Sequence, residues 1–84
     1  MDDPCFAMRV LEVFALPDRG VVVAAGEVVW GELRSGTVVQ VWQDDRLVGT
    51  SPAHVEFHTR PGTVAVALTT PDIRVQPGCL ITTS

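Results

Sequence analysis

The stretch from Arg19 to Val41, RGVVVAAGEVVWGELRSGTVVQV, decides the fold. Its β-branched runs are punctuated by Gly20, Gly26, Gly31 and Gly36 at near-regular spacing. Glycine in a strand marks a sharp turn, a bulge or a close approach of two backbones, so the pattern predicts short strands wrapped into a small antiparallel barrel. Nothing in this stretch or beside it has the composition of an active site. The expectation is a binding or scaffolding module.

The same signals continue in both directions. Phe6 to Phe14 (FAMRVLEVF) is long and mostly apolar, and Pro17-Asp18-Arg19-Gly20 has turn chemistry, with proline presetting the first corner and glycine accepting a positive φ. Val21 to Ala25 and Gly26 to Trp30 form either a strand pair or one bent strand kinked at Gly26. Arg34-Ser35-Gly36 turns into Thr37 to Gln43, and Asp44-Asp45 is a tight turn into Arg46 to Thr50. Ala53 to Thr59 alternates again, Arg60-Pro61-Gly62 turns into Thr63 to Thr70, and a loop with Pro71, Asp72, Pro77 and Gly78 precedes Cys79 to Thr83. These segments, read as seven strands and no helix, predict an all-β chain closed into an antiparallel β-barrel of six to seven strands. Closure is expected because an open sandwich would leave edges such as VVVAA unprotected. One domain covers residues 1–84, with the barrel over about 6–81 and an N-terminal tail at 1–5.

Composition narrows the function classes. At 84 residues there is room for one core, burying roughly 60–65% of the unfolded chain's surface. An apolar fraction of 46% excludes a disordered chain. No apolar run approaches the ~20 residues that span a bilayer, and the acidic MDDPCF start is unlike a signal peptide. A cytoplasmic location without membrane insertion is expected. Cys5 and Cys79 fit reduced, partly buried thiols, although closing the barrel could bring them together as a bridge. Ten acidic residues face six basic ones, all arginine, for a net charge of −4. Scattered, outnumbered cations are a poor match to a nucleic-acid backbone, and the absence of lysine removes Schiff-base and P-loop chemistry.

The ordered series of glycines and Val-rich segments is similar to the second domain of elongation factor Tu and related translational GTPases. The resemblance rests on Phe6 to Phe14, the Arg19-Gly20 turn before a Val-rich strand, Gly26, Gly31, and Gly36 ahead of Val39 and Val41. It continues through Val55-Glu56-Phe57, Pro61-Gly62 with TVAVAL, and Gln76-Pro77-Gly78 before Leu80. It implies a small antiparallel barrel that, in those factors, packs on the GTPase domain and helps hold the aminoacylated 3′ end of tRNA. Of the residues shaping that pocket, Glu56 matches in position and type and Val28 in character. The family's arginine-bearing loop is shortened here to His58-Thr59-Arg60, and Ala67 stands where a leucine is expected. GTPase activity belongs to a separate domain with a GxxxxGK[ST] loop that this chain lacks, so no nucleotide is expected to bind the chain alone.

Three clusters carry the remaining chemistry. His54, Glu56 and His58 alternate, so a regular strand would project all three from one face, a donor set suited to zinc or iron. A solvated outer strand face predicts the same alternation, and no metal or other cofactor is assigned. Val29 and Trp30 are adjacent large apolar residues, one of which must face outward from a regular barrel; Trp30 either anchors an interface or folds over a barrel end. Trp42 is expected to cap the barrel. Ser35 and Ser51 lie in turn-like contexts without a nucleophile's surroundings, and Glu12 reads as an outward residue at a bulge.

The expected function is therefore non-enzymatic. The chain reads as a stand-alone barrel binding another protein or a second copy of itself through Val28, Val29 and Trp30 and the strand bearing His54, Glu56, His58 and Arg60. An RNA-binding translation accessory built around Glu56 is the alternative, disfavoured by the acidic balance, and a small metal-binding protein is the third.

Overall fold

The computed structural model describes residues 6–57, 61–70 and 73–83. They form six antiparallel strands: β1 (Phe6–Leu16), β2 (Val21–Gly31), β3 (Thr37–Gln43), β4 (Arg46–Phe57), β5 (Thr63–Leu68) and β6 (Leu80–Thr82). The order around the ring is β1-β2-β5-β4-β3-β6, and β6 pairs back with β1, so the sheet closes into a barrel. The described residues contain no helix, and hence none long and apolar enough to cross a membrane. We call the end where β1 begins the lower end and the end where it finishes the upper.

Turn chemistry sets the two tight hairpins. Gln43 pairs with Arg46 around Asp44 and Asp45, whose φ values of 51° and 65° make a two-residue turn of the type whose twist suits paired strands. At the β1–β2 turn the Arg19 N–H donates to the Leu16 carbonyl at 3.0 Å, and Gly20 takes φ 68°. Two further connections join strands on opposite sides of the ring, residues 32–36 below between β2 and β3 and, of the β5–β6 connection above, the described residues 69–70 and 73–79.

Period-two alternation fills the interior. Phe6, Met8 and Val10 of β1, Val39 and Val41 of β3, Val64, Val66 and Leu68 of β5, and Ile81 of β6 are all buried in one cluster, joined by Val75 from the upper crossing. Gly26 faces Val10 across the β1–β2 pair, and a Cβ built there would collide with the Arg9 carbonyl. Only glycine permits the two backbones to come that close.

The Val21–Trp30 region is one bent strand, and the predicted seven strands become six. Arg46 to Thr50 and Ala53 to Thr59 are not separated by a break: β4 runs unbroken from Arg46 to Phe57 through Ser51 and Pro52. Pro52 is tolerated because it lies where the β4–β5 pairing begins, and its carbonyl still accepts from the Thr69 N–H at 3.3 Å. Ser51 is therefore a strand residue and not part of a turn. It is buried, its hydroxyl donating to the Pro52 carbonyl and accepting from the Thr70 N–H. β1 extends two residues past Phe14, to Leu16.

A second, smaller core lies outside the barrel. On the outer faces of β2 and β5, Val23, Ala65 and Ala67 are buried under Leu16, Val21 and Ala25. Arg19 in the β1–β2 turn meets Glu56 on β4 at 2.6 Å, so an ion pair ties together elements on either side of β5. It is a charge contact without aligned hydrogen-bond geometry, and Arg19 is 58% exposed, which limits its worth to under about 1 kcal/mol.

Candidate binding surface

Bulges decide which side chains reach the outside. The β1–β2 register runs Met8↔Val28 and then Ala7↔Trp30, leaving Val29 as the extra residue. The slip resets the alternation. Val28 faces inward and packs against the core, whereas Val29 is 55% exposed and Trp30 48% exposed. Val28 is thus half-buried and turned away from the outer face that Val29 and Trp30 share. It lines a cleft of about 250 Å³ at the lower end with Phe6, Leu33, Val55 and Val64, and Glu32 is the carboxylate among its described walls.

The wall beside Trp30 runs across three strands. Trp30 pairs with Ala7, Ala7 with Thr82, and Thr82 with Gln40, so these positions share one outer row. Arg9, Leu80 and Trp42 form the neighbouring row. The Trp42 indole N–H donates to Thr82 Oγ1 at 3.0 Å, laying the ring over β6. Trp42 is consequently a half-buried outer-wall residue and not a cap on the barrel end: regular alternation turns Val39 and Val41 inward and Trp42 outward, on the same face as Leu80. Two tryptophans bracket the outer face of the shortest strand.

The second expected contact segment lies elsewhere. His54 is exposed on the outer face of β4, in a row with Ala67, Val23 and Phe14. Val23 is seven positions from Trp30 along β2, roughly 20 Å at the rise of a strand. The structure therefore does not gather Trp30 and His54 into one patch. The alternation expected of His54, Glu56 and His58 is interrupted too, because Val55 pairs with Val66 and Phe57 with Ala65, making Glu56 the extra residue of a bulge. Glu56 is engaged by Arg19. His58 and Arg60 lie outside the described residues, as does Cys5, and Cys79 is buried as a free thiol. Among the described residues no group of three His, Cys, Asp or Glu side chains could hold a metal.

Sequence reasoning missed Leu11, Phe14, Val38 and Leu47, which are all exposed. Leu11 is the extra residue where Val10 pairs with Gly26 and Glu12 with Ala25, which places Glu12 at a bulge and facing out, as expected. A bulge signal at Leu11 is absent from the composition, since leucine is as common inside strands as at their irregularities.

Comparison with known proteins gives no match among family models, curated proteins or solved structures.

Proposed function

We propose that this chain is a non-enzymatic binding barrel, built like the second domain of the elongation factor Tu family, that grips another protein through the wall around Trp30. The observation that carries the reading is the exposed Val29-Trp30 pair at a bulge, adjoining Ala7, Leu80 and Trp42. A tryptophan half out of water beside further apolar surface is the kind of anchor that dominates protein interfaces. The closed six-strand ring supports the resemblance in architecture, with one apolar cluster filling its interior. Engagement of Glu56 by Arg19 favours a protein over the tRNA end as ligand, since the one pocket residue matching in position and type is already partnered.

The test is affinity capture from the native cell extract with wild type, Trp30→Ala and Leu47→Ala. A defined protein retained by wild type and Leu47→Ala but lost with Trp30→Ala is the expected result. Equal capture by all three, or salt-sensitive retention of tRNA in place of a protein, would sink the reading.

A further inference from the structure

We propose that the upper half of β1 is a docking edge for a second copy of this chain, forming a two-fold dimer by antiparallel β1–β1 pairing centred on Phe14. β1 pairs with β2 along almost its whole length, but β6 covers its other edge only at Ala7, Met8 and Arg9. Val10 exchanges its backbone bonds with Cys79 and Gly78, and there the cover ends. The described residues of the upper crossing do not replace it. Thr69 and Thr70 bond to β4 at Pro52 and Ser51, Ile73 sits over Gly49, and Gln76 meets Gln43 at the end of β3. Among the described residues nothing bonds the free edge from Leu11 to Leu16.

Ladder parity identifies which backbone groups stand open. The Val28 N–H donates to the Gly62 carbonyl, so Val28 faces β5, and β2 pairs with β5 without a slip from Val22 to Glu27. Val22, Ala24 and Gly26 therefore face β5, while Val21, Val23 and Ala25 face β1. Their partners Leu16, Phe14 and Glu12 direct their bonds to β2. Val13 and Ala15 are left directing both N–H and C=O outward. An edge of this kind, with Leu11 and Phe14 exposed on it and Glu12 its only charge, carries no lysine or proline from Leu11 to Leu16 and no covering loop among the described residues, the devices that usually blunt edges.

The edge fits itself in one register. With Phe14 on the two-fold axis, Val13 of each copy pairs with Ala15 of the other, and all four outward groups of each chain are used. Phe14 then faces its own counterpart in the non-hydrogen-bonded position, where side chains approach most closely. Glu12 falls opposite Leu16, so no like charges meet. Centring on Glu12 would set two carboxylates against each other, and centring on Val13 would leave Ala15 without an outward-facing partner. The contact is isologous, as a two-fold dimer requires. The pairing rests on one short strand edge, so the dimer should form and dissociate with concentration.

Sedimentation of the full chain over a concentration series is the test. Wild type is expected to rise from monomer to dimer mass, with amides of Val13 and Ala15 gaining hydrogen-exchange protection as it does. Ala15→Pro removes an outward N–H while leaving the β2 ladder intact, and should weaken association about tenfold or more with an unchanged circular-dichroism spectrum. Phe14→Lys, which puts two cations at the axis, should have the same effect without altering the backbone. Trp30→Ala should leave the dimer untouched, which separates this surface from the proposed protein-binding wall. A wild type that stays monomeric throughout, a dimer equally tight in Ala15→Pro and Phe14→Lys, or a dimer lost in Trp30→Ala would each overturn the proposal.

Discussion

The two halves of β1 are built from similar residues and lead different lives. Below Val10, Phe6 and Met8 point into the barrel, both edges are paired, and the side chains are fully buried. Above it, Val13 and Ala15 take the inward positions, one edge is bare, and Leu11 and Phe14 meet water. The dividing point is the bulge at Leu11, opposite Gly26. Hydrophobicity alone does not separate the halves. What differs is whether a third strand arrives to complete the ladder, and β6 is three residues long.

Breaking the junction should have the largest effect. Gly26→Ala is expected to cost about 3 kcal/mol or more, since the collision is with backbone that cannot swing aside, and urea denaturation would read it as a collapse of the midpoint. Met8→Ala in the lower half comes next, at about 3 kcal/mol for emptying a buried site. The matching inward change above, Val13→Ala, should cost only about 1 kcal/mol, since Val13 is half-buried. If the two truncations cost the same, the halves are not energetically distinct. Arg19→Ala, which frees the upper turn from Glu56, should cost still less, under about 0.5 kcal/mol at an exposed arginine. In dilute wild type, hydrogen exchange should find the amides of Met8 and Val10 protected to the level of global unfolding and those of Val13 and Ala15 open.

Much of this barrel is legible in the residues. Alternation in FAMRV and TVVQV names the inward side chains, Asp44-Asp45 marks a hairpin, and the glycines mark where the sheet bends. Bulges are what escape. Each inserts one residue without a compositional mark and reverses every face beyond it, and they fall at Leu11, Val29, Val48 and Glu56. For that reason Val29 and Trp30 both reach the outside, Glu12 faces out where strict alternation from Val10 would turn it in, and the regular His54-Glu56-His58 face is broken at Glu56. Pro52 lies between the two segments expected at Arg46 to Thr50 and Ala53 to Thr59, yet β4 carries it where the neighbouring ladder is only beginning.

Closure of the ring by β6 also sets a timetable. Five strands precede the segment that joins β1 to β3, and nearly the whole chain separates Ala7 from its partner Thr82. Until Leu80 to Thr82 take their place between β1 and β3, the ring has no closing strand. Loop-closure entropy is then met in one late step, which slows folding and lengthens the interval in which chaperones or neighbouring chains meet the raw seam.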